Sequence, residues 1–254
     1  MLAQTLENLK ALHLSVMAQE YRRQQELPAT ASLSFDERLA MLVDAEYLSR
    51  QNKKLERLLK QAGLRDRTAS LEELDYGPAR RLDKTQVARL ADCRWIHESW
   101  NMLICGPCGT GKTFLASAFG NAACRRFLSV KSYRVSRLLL DLQIGRGDGS
   151  WNKLLNELKK PDLLILDDFG LANLETLHCR DLLEVIDDRN GAASTLVVSQ
   201  LPVSDWHGLF ADATIADAVL DRLLNGAYRF ELSGPSLRRN RPDEPGQEEV
   251  RPLG

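Results

Sequence analysis

No stretch of this 254-residue chain approaches the length of a membrane-spanning helix, although 44% of its residues are hydrophobic, so a spanning segment is excluded as its organising feature. Its first residues, Met1-Leu2-Ala3-Gln4-Thr5-Leu6-Glu7, have no basic region leading into an apolar core, and a secretory leader is not expected. Charge of one sign is also missing. Lys plus Arg number 34 against 35 for Asp plus Glu, a formal net charge of −1, which excludes a global field drawing the protein to nucleic acid or membrane. The five cysteines, at 93, 105, 108, 124 and 179, are odd in number and form no disulfide framework; a reducing cytoplasm is the expected location. There is no internal repeat. What remains is chain enough for one sizeable core and a small extra domain.

The most informative segment is Gly106-Pro107-Cys108-Gly109-Thr110-Gly111-Lys112-Thr113, a G-x-x-x-x-G-K-T phosphate loop. The short apolar run Asn101–Cys105 before it reads as a buried strand, and Phe114–Phe119 after it as a helix. In that context glycine lets backbone N–H groups turn inward around phosphate oxygens, and the helix N-terminus adds its positive dipole end. Lys112 is then placed to reach the β and γ phosphates of a nucleoside triphosphate, and the Thr113 hydroxyl to ligate Mg²⁺. The same stretch contains Cys105-Gly106-Pro107-Cys108, a C-x-x-C of the kind found between strand and helix in thioredoxin-like oxidoreductases. A redox enzyme would have no use for the rest of the phosphate loop or for the acidic strand downstream. Cys105 is therefore expected to pack as a small hydrophobe, and Cys108 to fill a variable loop position.

That acidic strand is Leu163-Leu164-Ile165-Leu166-Asp167-Asp168, entered through a turn at Pro161-Asp162. Asp167 is expected in the Mg²⁺ shell and Asp168 to polarise the attacking water. Related ATPases often carry Glu at the second position, so Asp168 reaches one methylene less far.

The region before residue 77 reads as helical throughout. Leu2, Leu6, Leu9, Met17 and Tyr21 fall at helical spacing up to a break at Pro28–Ser32. Ser34-Phe35-Asp36-Glu37 is a capping box opening a long helix with apolar positions Leu39, Leu42, Val43, Leu48, Leu55, Leu58 and Leu59, ended by Gly63. Ser70–Glu73 reads as a second box on a short helix, Tyr76-Gly77-Pro78 as a linker, and Asp83 as the cap of a further helix. From Trp95 onward strand and helix alternate. Strands are expected at Val130–Tyr133, Thr195–Ser199 and Tyr228–Leu232, and helices around Leu138–Ile144, Leu182–Ile186 and Asp217–Leu224. A loose loop is expected at Gly145–Ser150. This is a parallel-sheet α/β domain. The predicted organisation is a helical domain 1–76, an ATPase domain 77–238 and a disordered tail 239–254 rich in Arg, Pro and Glu.

Between Arg50 and Arg67 seven basic residues stand against two acidic ones. Arg50, Lys53, Lys54 and Arg57 recur at i, i+3, i+4 and i+7, one helical face, with Leu55, Leu58 and Leu59 on the other side. This face is either a stripe that neutralises DNA phosphates or the solvated side of a helical bundle.

Over residues 1 to about 239 the sequence resembles the IstB-type helper ATPases of insertion sequences, relatives of DnaC-type helicase loaders within the AAA+ superfamily. The resemblance rests on Leu33–Leu39, Leu74–Asp83, the phosphate loop, Leu163–Leu171, Ser199-Gln200-Leu201-Pro202-Val203, Ala216–Leu223 and Gly234–Arg238. It implies an AAA+ P-loop domain, a parallel sheet flanked by helices, behind a small all-α N-terminal domain. It also implies that Gln200 is the sensor of the γ-phosphate and Arg222 an arginine finger for a neighbouring subunit's ATP. The local alternatives are a strand terminus for Gln200 and an ion pair with Asp217 or Asp221 for Arg222. Arg238 is implied as a nucleotide sensor in cis, though Pro235 stands where the family has Glu. The activity implied is ATP hydrolysis with Mg²⁺ by a homo-oligomer that assembles on double-stranded DNA and directs a cognate transposase. A helicase loader is the alternative within the same fold. A metabolic ATPase or kinase finds no readable acceptor pocket.

Overall fold

The structure, a computed structural model, describes residues 2–172 and 174–237; Arg238 and the predicted tail lie outside the described residues. The chain divides into two compact units, Met1–Gln61 and Ala62–Gly254, where the sequence reading set the boundary at residues 76–77. The segment after Gln61 joins the second unit for a physical reason. Leu64, Ala69 and Leu71 are buried, and the buried Asn121 side chain donates to the carbonyls of Asp66, Arg67 and Ala69.

The first unit holds α1 (Leu2–Ala11), α2 (Ser15–Glu26) and α3 (Phe35–Ala62). The single helix expected up to Tyr21 is broken at His13, whose φ is +59°. Glu46 of α3 secures the start of α2 by accepting from the N–H groups of Val16 and Met17 at 3.0 and 3.1 Å, a carboxylate meeting the positive end of a helix dipole. The hydrogen bond from Arg50, with these two N–H bonds, holds the Glu46 carboxyl below its ordinary pKa against the opposing effect of burial. The capping box at Ser34 is reciprocal: Glu37 N–H donates to Ser34 Oγ at 3.3 Å and Ser34 N–H to Glu37 Oε2 at 2.8 Å. Gly63, at φ +62°, follows the end of α3 as expected. Of the apolar positions on α3, Leu58 is buried, whereas Leu39, Val43 and Leu48 are exposed.

The second unit is built on a five-stranded sheet in the order β2-β3-β4-β1-β5. Its strands are β1 (Met102–Cys105), β2 (Val130–Arg134), β3 (Leu163–Phe169), β4 (Ser194–Ser199) and β5 (Tyr228–Glu231), and every pair is parallel. β1 and β4 are buried at every position and β3 at all but Asp168. Helices on both faces cover these strands, which is why they read as continuous apolar runs. The helices are α4 (Lys84–Leu90), α5 (Arg94–His97), α6 (Lys112–Arg125), α7 (Val135–Asp148), α8 (Trp151–Lys159), α9 (Thr176–Arg189) and α10 (Ala213–Leu224). Asp83 caps α4 by accepting from Thr85 N–H at 2.8 Å, as predicted. The box expected at Ser70 caps only a 3₁₀ turn, Leu71–Glu73.

The loop expected at Gly145–Ser150 is mostly helix. α7 runs through Gly145 and Gly147 to Asp148, and α8 begins at Trp151 after Gly149 and Ser150. Gly145 stands where the start of α8 crosses: a Cβ there would lie 3.0 Å from Trp151 Cα and N. The buried Asp181 of α9 ties the three helices together, accepting from Arg146 and, at 3.1 Å, from Trp151 Nε1. At the bottom of the sheet Arg189, 1% exposed, donates to the carbonyls of Leu158, Pro161 and Ser194. Burial brings its pKa down to about 10, and these carbonyls take up the bonds that water would otherwise supply.

Candidate functional site

The order of the sheet brings the C-terminal ends of β1, β3 and β4 to one edge, where ligands bind in open parallel sheets. The phosphate loop leaves β1 there and enters α6 at Lys112. Gly106, at φ +146°, is required by close approach: a Cβ would lie 2.2 Å from the Leu232 carbonyl oxygen. The loop folds around the carbonyl of Pro107, which accepts from Lys112 Nζ at 2.7 Å and Thr110 Oγ1 at 2.9 Å. It is braced from below by Arg80, 6% exposed, whose guanidinium donates to Thr110 O at 2.7 Å and pairs with Asp75 at 3.1 Å. Arg80 lies within the Leu74–Asp83 segment, and no sequence pattern assigns it this role.

Lys112 is almost fully buried. Burial lowers the pKa of its ammonium, while the neighbouring Asp167 and Asp168 carboxylates oppose that shift. Thr113 Oγ1 donates to Asp167 Oδ1 at 3.3 Å. Burial, then repulsion from Asp168, raises the Asp167 pKa. A hydroxyl and a carboxylate side by side below a phosphate cradle are the hard oxygen donors that suit Mg²⁺. The ladder between β3 and β4 shifts register between Leu166 and Phe169, and Asp168 adopts φ +61°. This bulge re-aims a side chain at a strand end, and Asp168 lines the cavity beside the loop despite its short reach.

That cavity measures about 880 Å³ and is lined by Lys112, Thr113, Asp168, Gln200 and Arg65, among others. Its size is that of a small-molecule site. Gln200 follows the end of β4 directly, so the structure brings it together with the loop and Asp168. Arg65 lies beyond α3, which ends at Ala62, and no sequence pattern assigns it to this site. Its guanidinium lies 3.6 Å from Asp167 and 3.5 Å from Asp168.

Arg222 is not brought to this cavity. Its backbone carbonyl accepts from Asn101 Nδ2 at 2.9 Å, which places it where β1 begins, at the opposite edge of the sheet from the loop. Four strand residues separate the two edges by about 13 Å. Its side chain pairs with Asp187 of α9 at 2.7 Å rather than with Asp217 or Asp221. The stripe residues Lys53, Lys54 and Arg57 are exposed on α3, while Arg50 is engaged by Glu46 at 2.9 Å and by the His13 carbonyl at 3.0 Å.

Burial pushes the Cys105 thiol up to about 11, the reverse of the depressed pKa a redox C-x-x-C requires. Cys105 packs as the small hydrophobe expected. Among the described residues no helix is long and apolar enough to cross a membrane.

Residues 7–244 match the family of IstB-like ATP binding proteins. The chain is 50% identical over 200 residues to an ATP-binding protein of insertion sequence IS1162 from Pseudomonas fluorescens, covering 79% of this chain and 87% of that one. An insertion-sequence ATP-binding protein of Sinorhizobium fredii is 43% identical over 236 residues, 93% of this chain and 96% of the other. Among solved structures, AMPPCP-bound DnaA from Aquifex aeolicus superposes with a TM-score of 0.56 at 21% identity, over 66% of this chain and 51% of that one; the likeness is one of fold. The phosphate loop with its acidic strand, the five-stranded parallel sheet and the family match together identify the chain as an ATPase of the IstB-like family of insertion-sequence ATP-binding proteins.

Proposed function

We propose that this chain is an ATP-dependent helper of DNA transposition: Mg²⁺ and ATP drive a homo-oligomer to assemble on double-stranded DNA, and that assembly directs or activates a cognate transposase. The observation that carries the oligomeric reading is the position of Arg222. Its backbone stands where β1 begins, its guanidinium pairs with Asp187 and it does not line the cavity of its own phosphate loop; the scheme assigns it to a neighbour's nucleotide. The insertion-sequence names of the relatives support the transposition reading. In this scheme Lys112 neutralises the β and γ phosphates, and Thr113 with Asp167 holds the Mg²⁺, which supplies Lewis-acid stabilisation of developing charge. Asp168 orients the attacking water, Gln200 senses the γ-phosphate, and Arg222 offsets transition-state charge across the subunit boundary.

Binding of ATP rather than its hydrolysis would then drive assembly. Asp168→Asn keeps the loop, Lys112 and the Mg²⁺ donors, so with ATP and duplex DNA it is expected to accumulate assemblies larger than the parent's by light scattering. A protein that stays monomeric under those conditions contradicts the scheme.

DNA contact is assigned to the exposed Lys53, Lys54 and Arg57 of α3, with Arg50 flanking them. Replacing all four by Gln should weaken binding to all duplex sequences about equally. It should also flatten the dependence of log K on log salt by about 0.9 for each phosphate that is no longer neutralised. Glutamine is a good helix former, so α3 is expected to persist by circular dichroism. Unchanged affinity and slope would leave this face merely solvated and turn the first unit towards a protein partner, as in a helicase loader.

A further inference from the structure

Arg65 stands three residues beyond α3, yet its position is fixed from the phosphate-loop helix. Asn121 of α6 donates to the carbonyls of Asp66, Arg67 and Ala69, and Ser117 Oγ accepts from Asp66 N–H. Leu64 lies against Gly120, where a Cβ would come within 2.7 Å of Leu64 Cδ2. The backbone carrying Arg65 therefore moves with Lys112 and Thr113, while its side chain, 43% exposed, keeps the freedom to turn. The guanidinium faces both acidic groups at 3.5–3.6 Å, longer than a close charge-assisted hydrogen bond. Arg134, 3.7 Å from Asp168, touches only one of them.

We infer that Arg65 is an exchangeable counter-cation of the Asp167–Asp168 pair, a positioning residue that balances the two carboxylates and yields them to Mg²⁺. This rests on the reading of the cavity as the Mg²⁺·ATP site. Two consequences follow from charge alone. With Arg65 gone, Asp168 keeps Arg134 but Asp167 loses its guanidinium, so metal-free ATP meets more negative charge and binds more weakly. Mg²⁺ no longer competes with a guanidinium and binds the nucleotide-loaded site more tightly. The two effects are linked and change the same ratio, the affinity for nucleotide with Mg²⁺ over that without it.

The test is equilibrium binding of a fluorescent ATP analogue to the full chain in excess Mg²⁺ and in excess EDTA, for the parent, Arg65→Ala and Arg65→Lys. For Arg65→Ala the ratio of the two affinities should rise by about fivefold or more, the effect of one partly screened charge pair. Arg65→Lys, which keeps the charge, should stay within about twofold of the parent. An alanine variant with an unchanged or smaller ratio would overturn the inference, and so would a lysine variant as metal-dependent as the alanine one. Thermal unfolding of each variant checks that the fold is kept. Lys112→Ala run alongside keeps the two claims apart: binding lost there with an unmoved ratio in Arg65→Ala rejects the role of Arg65 and leaves the nucleotide site standing.

Discussion

Lys112→Ala is expected to reduce ATP affinity by about a hundredfold or more, the usual cost of removing one partner of a desolvated charge pair. The ammonium is buried at the start of α6 and held by the Pro107 carbonyl, so it is delivered to the phosphates with little conformational freedom left to lose. No other ammonium among the described residues lines the cavity. DNA-dependent assembly should disappear with nucleotide binding, while circular dichroism should report an intact fold, since the core of the sheet does not depend on this side chain. Fluorescent-nucleotide titration measures the first effect and light scattering the second. Near-parental affinity in Lys112→Ala would remove the loop from the centre of the account.

Arg222→Ala is the second large effect. An arginine finger supplied across a subunit boundary is worth about 10³–10⁵ in turnover, so hydrolysis in the DNA-bound state should fall by about that factor with nucleotide affinity unchanged. The side chain makes one ion pair, to Asp187, which is itself largely exposed, so its loss leaves no buried charge behind and should cost little stability. A fall in affinity rather than in turnover would mean that Arg222 acts on folding or on its own nucleotide, not on a neighbour's.

Much of the site was legible because its chemistry is local in sequence. The phosphate loop needs contiguous glycines and a lysine, the acidic strand needs an apolar run ending in carboxylates, and both stand where the periodicity placed them. The caps at Ser34 and Asp83 were legible for the same reason, since a side chain and an N–H two or three residues away decide them. Where partners are distant in sequence the reading failed. Gly145 and Gly147 looked like loop residues, yet Gly145 serves as a close crossing between α7 and α8. The apolar spacing of Trp151, Leu154, Leu155 and Leu158, all wholly or partly buried, was the available signal for α8. The boundary between the compact units lies at Gln61, ahead of the Tyr76–Pro78 linker, because Asn121 binds a segment more than fifty residues before it, a pairing no periodicity announces. Arg65 follows the basic helix closely in the chain, and only the turn after Ala62 carries it to the carboxylates. Arg222 lay in a recognisable segment, but its place at the opposite edge of the sheet from the loop is a matter of topology.

The central claim is that each nucleotide is hydrolysed between two subunits, one contributing the loop and the other Arg222. Mixing Lys112→Ala, which lacks a usable phosphate loop but keeps its arginine, with Arg222→Ala, which binds nucleotide but lacks the arginine, tests this directly. Measured as DNA-stimulated phosphate release at fixed total protein, the mixture is expected to recover activity that neither variant has alone, because one partner supplies the finger to the other's ATP. A mixture no more active than the sum of its parts would contradict the account.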